Sequence, residues 1–372
     1  MSIQLVPKLK HIGLAAIAAG GIAISLPVFA ESTAYVQHNL VSDGFVPADH
    51  IDPNLQNGWG VAFNPTGAVW VVNNATGTST LYDGLGQGVG PTPGHPLVVS
   101  IPSGSVAGGT GSPTGTVFNG SADFVITQGA VSGAAKFLFS SEDGVITAWA
   151  PNVDLFHALR IIDNSSNAAV YKGLAISANG TGTRLYATDF RHARVDVWDG
   201  TFTPVTIAGA FHDPNLPAGY APFGIQAING DLYVTYGKQD ASAHDEIDGP
   251  GLGFVSVFDP NGRFLRRLVS GARLNAPWGL ALAPAGFGEF GGRLLVGNFG
   301  DGHIDAYDVA NGEFVGRLRD ARHRALNIDR LWGFAFGNGV LNQSVDILYF
   351  AAGPNDEQHG LYGSITAVSN RD

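Results

Sequence analysis

"GWGVAF", Gly58–Phe63, is the phrase whose reading decides the fold, because the chain repeats it in altered form five more times. The other copies read "PTGTVF" from Pro113, "YKGLAI" from Tyr171, "PFGIQA" from Pro222, "PWGLAL" from Pro277 and "LWGFAF" from Leu331. All share a central glycine (Gly60, Gly115, Gly173, Gly224, Gly279 and Gly333), and successive glycines lie 51 to 58 residues apart. Self-similarity at such a period is the mark of a structure built from stacked copies of one unit. Within each unit further strand-like runs follow the first. The second is of the kind "VWVVNN" or "RLYATDF", the third "STLYDG" or "RVDVWDG", and the fourth "PLVVSIP" or "VTIAGAF". Alternating β-branched and aromatic residues bounded by Gly, Asn, Asp and Pro are strand signals. No helical periodicity of useful length follows Ala30.

The sixth unit stops at its third run, Gly363–Val368, and so lacks a fourth strand. A spare strand, "YVQHNLVS" at Tyr35–Ser42, precedes the first unit. Pairing the two would close a ring, so the sequence predicts an all-β, six-bladed β-propeller of four-stranded blades, in which radial closure protects the sheet edges. The shared glycines then line the crowded axis, where a side chain would obstruct close backbone approach. The aromatic residue that precedes most of them is expected to pack between blades.

Composition agrees. Glycine, at 52 of 372 residues, is about twice its ordinary frequency, while charged residues make up only 14%. The formal net charge of −11 and the lack of any basic run argue against nucleic acid and anionic membrane surfaces as partners. Zero cysteine excludes disulfides, thiol catalysis and iron–sulfur clusters. At the N-terminus, Lys8 and Lys10, an apolar run over Ile12–Leu26 and small residues ending at Ala30 make the three-part pattern of a secretory signal peptide. Residues 1–30 are therefore expected to be a leader and 31–372 a single propeller domain, exported to the periplasm or the extracellular space without membrane insertion. A monomer is expected.

The repeats resemble six-bladed propellers of the NHL-repeat and SMP-30/gluconolactonase kind. Phrases such as "GYAPFGIQAINGDLYVTYGKQDA", "LNAPWGLALAPAGFGEFGG" and "LLVGNFGDG" are similar, more specifically, to an uncharacterised family of secreted bacterial propeller proteins. The resemblance spans nearly the whole chain after the leader. It implies a fold and a compartment but supplies no catalytic residues. The SMP-30 likeness also implies a metal on the axis.

In a propeller, the loop entering strand one of a blade and the loop joining strands two and three share a face, here called the top. "DPNL" occurs in two entering loops, at Asp52–Leu55 and Asp213–Leu216, before units one and four. Asp-Pro starts turns through its own side chain, and the leucine can plug a blade interface; Asp52 and Asp213 are also ligand-binding candidates. The ends of the second strands offer Asn73, Ser141, Asp189, Tyr236 and Asn298 to the same face. Such an oxygen-rich set suits calcium, with Asn73, Asp189 and Asn298 as ligands. Two longer acidic loops, Lys238–Gly251 and Gly353–Gly363, each place a histidine beside carboxylates: His244 with Asp245 and Glu246, and His359 with Asp356 and Glu357. A histidine so placed could serve as a general base. His192, between Arg191 and Arg194, could meet an anion or simply occupy an exposed turn.

Two functions fit. One is a binding propeller whose acidic top loops take a protein, an envelope polysaccharide or a small molecule. The other is a calcium-assisted hydrolase or lactonase with His244 or His359 as base. The incomplete carboxylate ring favours the first. A hydrolase requires Asn73, Asp189 and Asn298 to converge on one cavity with a histidine within about 3 Å of a bound water; a scaffold requires a shallow face with those groups bonded to each other.

Overall fold

The computed structural model describes residues 1–2, 33–105 and 109–369. The expected leader, residues 1–30, lies outside them save for its first two. One compact unit spans Ser32–Asp372. Among the described residues no helix is long and apolar enough to cross a membrane.

The unit is a six-bladed β-propeller. Blade 1 holds Gly58–Phe63, Val69–Asn73, Thr78–Tyr82 and Val98–Ser100; blade 2 holds Pro113–Phe118, Phe137–Ser141, Val145–Trp149 and Leu159–Asp163. Blade 3 has three strands, Tyr171–Ala178, Thr183–Asp189 and Arg194–Asp199. Blade 4 holds Tyr220–Ile228, Asp231–Gln239, Phe254–Phe258 and Phe264–Ser270, and blade 5 holds Pro277–Leu282, Leu294–Asn298, Ile304–Tyr307 and Phe314–Arg317. Blade 6 takes Leu331–Phe336, Ile347–Ala352 and Leu361–Ser369 from the end of the chain, and Thr33–Ser42 from its beginning pairs antiparallel with the last of these. The spare strand thus closes the ring.

The core explains why the strand pattern is so apolar. Six of the seven buried clusters each join two consecutive blades, including the closing pair, blades 6 and 1. Middle strands are covered on both faces; all five residues of Val69–Asn73, Phe137–Ser141 and Leu294–Asn298 are buried. A strand buried on both sides reads as a continuous run instead of an alternation. Leu55 of the first DPNL sits in the cluster between blades 6 and 1, and Leu216 of the second packs on the cluster between blades 3 and 4.

The shared glycines line a small axial void of about 40 Å³. A Cβ on Gly60 would lie 2.7 Å from the Thr114 carbonyl, one on Gly224 2.1 Å from the Trp278 carbonyl, and one on Gly333 2.6 Å from the Trp59 carbonyl. Each blade's glycine therefore faces backbone of the next blade, and the last of these contacts closes the circle. At this spacing no side chain fits.

Blade 3 departs from the expected four strands. "VTIAGAF", Val205–Phe211, does not form an edge strand: after one bridge between Trp198 and Pro204 and one bond from Val205 N–H to the Val197 carbonyl (2.8 Å), the chain turns away. Pro204 lacks the N–H a ladder needs, and Gly209 takes a left-handed φ of +71°. The vacated slot is a groove of about 550 Å³ between blades 2 and 3, with Ile161, Val195, Trp198 and Phe211 in its walls. Blade 2 carries an additional hairpin, Val125–Gln128 with Val131–Ala134.

Candidate functional site

Just above the glycine ring, the residues that precede the glycines are Trp59, Thr114, Lys172, Phe223, Trp278 and Trp332. The aromatic ones meet one another over the axis, where they were expected to pack between blades. Trp59 and Trp332 stack with ring centroids 3.4 Å apart, and Trp278 stands edge-on to both at 6.0 and 5.8 Å. Phe223 and Phe299 complete this plug against Trp332. The indole N–H groups of Trp59, Trp278 and Trp332 are buried without hydrogen-bond partners.

Lys172 breaks the series. Its side chain is only 1% exposed, and Nζ sits 5.2 Å from the Trp59 ring centroid and 5.8 Å from that of Phe190. Glu142 Oε1, from the two–three turn of blade 2, lies 2.5 Å from Nζ, and Asp245 Oδ1, from the long loop of blade 4, lies 3.3 Å away. Burial pulls the lysine pKa down, but Glu142, Glu246 and Asp245 together outweigh it and hold the group above the ordinary lysine range. The ammonium is permanent at neutral pH.

Lys172 lies at one side of an open axial cavity of about 410 Å³ on the top face. Loops and strands of all six blades line it. Asn74 donates to Glu142 Oε2 (2.9 Å), and Asn57 donates to Glu357 Oε1 (3.1 Å). Arg330 bridges Asp248 (3.1 Å) and Asp356 (2.8 Å) while its guanidinium covers Phe299. His244 Nδ1 is 2.8 Å from Asp245 Oδ1. That hydrogen bond, aided by Lys172, lowers Asp245 to about 2, and the same bond raises His244 above its usual value against the repulsion of Lys172. Glu246 has no cation of its own. Burial, with smaller contributions from Glu357 and Asp245, pushes it up to about 7 against the opposing pull of Lys172. Burial likewise raises Glu357.

The backbone under Glu357 is strained. Asn355, Asp356 and Glu357 are three consecutive non-glycine residues with left-handed φ values of 57°, 55° and 66°. Each such residue costs on the order of 1 kcal/mol and persists only where surrounding structure enforces it, commonly at ligand sites. Here the result is that Asp356 and Glu357 both line the cavity.

Of the residues singled out in the sequence, His244, Asp245, Glu246, Asp356 and Glu357 line this cavity. The others do not. His359 turns away: Nδ1 is 2.7 Å from Asp43 Oδ2, and its ring stacks on Phe45 with centroids 3.9 Å apart. Asp52 is buried, accepting from Asn54 and from the Tyr82 hydroxyl (2.7 Å). Asp213 is buried against Ser256 and Arg267, at 2.6 and 2.7 Å. Tyr236 is buried in the core between blades 3 and 4. Neither DPNL carboxylate is presented to a ligand; both brace blade edges from within.

The expected calcium ring does not assemble. Asn73 Nδ2 donates to Thr78 and Thr80 of its own blade, and Ser141 donates to Asp143. Asp189 is hydrogen-bonded to His192 (2.7 Å) and ion-paired with Arg194 (3.2 Å), which also places His192 in its turn. Asn298 Oδ1 accepts from the Asn275 N–H. All four are buried: Asn73, Ser141 and Asp189 cap their own two–three turns, Asn298 reaches the loop that enters its blade, and none lines the cavity. One group of possible metal ligands does face the cavity: Glu142, His244 and Asp245 place one ligand atom each within 4.8 Å of one another. An ammonium is already bonded to two of the three, so the residues present do not fit a resident metal.

Sequence reading missed Lys172, Glu142, Arg330, Asn57 and Asn74. The signal for Lys172 was available: "YKG" is the one repeat phrase in which a charged residue precedes the shared glycine.

Comparison with known proteins covers most of the chain. It is 32% identical over 340 residues to uncharacterized protein R648 of Acanthamoeba polyphaga mimivirus, covering 90% of this chain and 80% of that protein. It is 34% identical over 333 residues to uncharacterized protein L690 of the same virus, covering 88% and 84%. The chain belongs to the family of these two proteins. No known family profile matches it. The fold carries the propeller part of the resemblance; both relatives are viral, so its secreted bacterial part is not carried by them. Among solved structures, a protein of unknown function from Bacteroides thetaiotaomicron superposes with a TM-score of 0.56 at 11% identity, covering 90% of this chain and 76% of that one. Virginiamycin B lyase from Staphylococcus aureus gives 0.53 at 10% identity, covering 91% and 100%. These likenesses establish the fold alone.

Proposed function

We propose that this family member is a binding propeller whose axial cavity takes a small polyhydroxylated molecule, a sugar or the end of a glycan chain. The observation that carries this reading is the buried Lys172 where other blades place aromatic residues. An ammonium has three N–H donors; Glu142 and Asp245 accept from two, leaving the third for a ligand oxygen. The cavity wall combines donors (Lys172, Arg330, His244) with acceptors (Asp245, Glu246, Glu357). A hydroxyl is at once donor and acceptor, and a polyol meets such a wall without leaving groups of either kind unpaired. The cavity volume is within the range usual for small-ligand sites. Export, as the leader pattern suggests, would put such a site among extracellular glycans. A calcium-assisted hydrolase would need Lys172 displaced from Glu142 and Asp245, and no step is derived through a metal.

The test is isothermal titration of the purified chain with neutral sugars and short oligosaccharides, simple amines and organic acids. Neutral sugars should bind, and Lys172→Met, with its fold verified by circular dichroism, should weaken binding by about tenfold or more. Binding of amines or acids with no sugar bound would overturn the proposal.

A further inference from the structure

We infer that Lys172 is the cavity's built-in cation, standing where a divalent metal would otherwise be held, so that the site works without metal and becomes a metal site only when the ammonium is removed. The inference rests on the cavity being the functional site, not on which ligand it takes.

The geometry is that of a cation already in place. Glu142, His244 and Asp245, two carboxylates and an imidazole, are a donor set suited to a divalent ion, with ligand atoms within 4.8 Å of one another. The Lys172 ammonium is 2.5 Å from Glu142 Oε1 and 3.3 Å from Asp245 Oδ1. A metal on those oxygens would sit beside a like charge in a partly desolvated place, where repulsion is screened least. Nor is the lysine free to swing aside. Its stem is buried, and Nζ is flanked by the rings of Trp59 and Phe190. Glu142 is further fixed by Asn74. The ammonium thus supplies positive charge on rigid strand one, with no loading step and no dependence on metal supply.

The experiment is titration of the full chain with Mn²⁺, Ca²⁺ and Zn²⁺ at pH 8, read by calorimetry and, for Mn²⁺, by electron paramagnetic resonance. The wild type should show no stoichiometric site that depends on Glu142. Lys172→Ala should bind one divalent ion per chain roughly a hundredfold or more tighter than wild type, and adding Glu142→Gln should abolish that gain. Lys172→Arg, which keeps the charge, should stay metal-free. Melting curves verify the fold of each variant; Lys172→Met, which keeps the buried stem, replaces the alanine variant if that one does not fold. A wild-type site lost on Glu142→Gln would overturn the inference, whatever the lysine variants do. So would a folded Lys172→Ala or Lys172→Met that gains no metal. Neither result bears on sugar binding, which is read separately.

Discussion

Two rings of residues, adjacent in every repeat, differ completely in character. The lower ring is Gly60, Gly115, Gly173, Gly224, Gly279 and Gly333, identical in all six blades and lining a void of about 40 Å³. The upper ring, one residue earlier, is Trp59, Thr114, Lys172, Phe223, Trp278 and Trp332, and it underlies a cavity ten times larger. The lower ring repeats because closing six blades brings each strand one against the backbone of the next. The upper ring is free to vary because it needs only to fill space, and its one charged member is bonded to carboxylates from two other blades. In a repeat protein, identity at a position reports the demands of closure, and departure from the repeat reports chemistry.

The largest effect should come from breaking the lower ring. Gly224→Ala puts a Cβ 2.1 Å from the Trp278 carbonyl. Overpacking against backbone should destabilise the fold by about 3 kcal/mol or prevent folding, measured by denaturant melts. A loss below about 1 kcal/mol would mean that the ring closes less tightly than drawn and that glycine identity reports something else.

Next comes Asp213, a conspicuous sequence candidate that belongs with the structural set. Asp213→Ala strands Arg267, which is 18% exposed, donates from Nε to Oδ2 and holds Nη2 at ion-pair distance from Oδ1. Stability should fall by about 3 kcal/mol while cavity ligand affinity stays unchanged in the folded fraction. A change in affinity would return Asp213 to the site.

The fold was legible because closure imposes itself on every unit: glycine, strand signals and a displaced edge strand recur or are missed by name. Blade 3 shows the limit. "VTIAGAF" has strand composition, but Pro204 and Gly209 decide its path, and both count for more than the residues between them. The site was legible by face and by loop. Asp245, Glu246, Asp356 and Glu357 could be assigned to the top because strand direction alternates. Which side chains meet could not be read, since Glu142, Lys172 and Asp245 come together from three blades, with up to 73 residues separating bonded partners. Asn73 and Asp189 misled for a local reason, since a polar residue ending a buried strand caps its own turn, while Asn298 is taken up by the Asn275 N–H of the loop entering its blade.

A finer test concerns charge in the upper ring's cavity. Glu246 titrates near 7 in the folded chain, against the 4.5 of a free glutamate. The folded state therefore keeps a proton that the unfolded chain has lost, so this group lowers stability as pH rises from about 4.5 to 7 and adds nothing further above that. Glu246→Gln removes the term. Its stability should match wild type at pH 4 and exceed it by about 2 kcal/mol at pH 8, allowing for partial exposure. Paired melts across that range check it; a pH-independent difference would mean Glu246 is not held by the cavity's electrostatics.

The smallest effect separates the two loop histidines, which the sequence treats alike. His244 lines the cavity beside Asp245, whereas His359 is tied to Asp43 and Phe45 of a segment more than 300 residues away. His359→Ala removes one hydrogen bond and one ring contact at the edge of blade 6, at a cost of about 1 kcal/mol, and should leave ligand affinity as it was. His244→Ala should do the reverse, sparing the fold and weakening the ligand, because its ring orients an Asp245 that already accepts from Lys172. If both variants weaken binding equally, the ligand extends beyond the axis to the rim of blade 6. The upper ring would then be only the floor of a wider site.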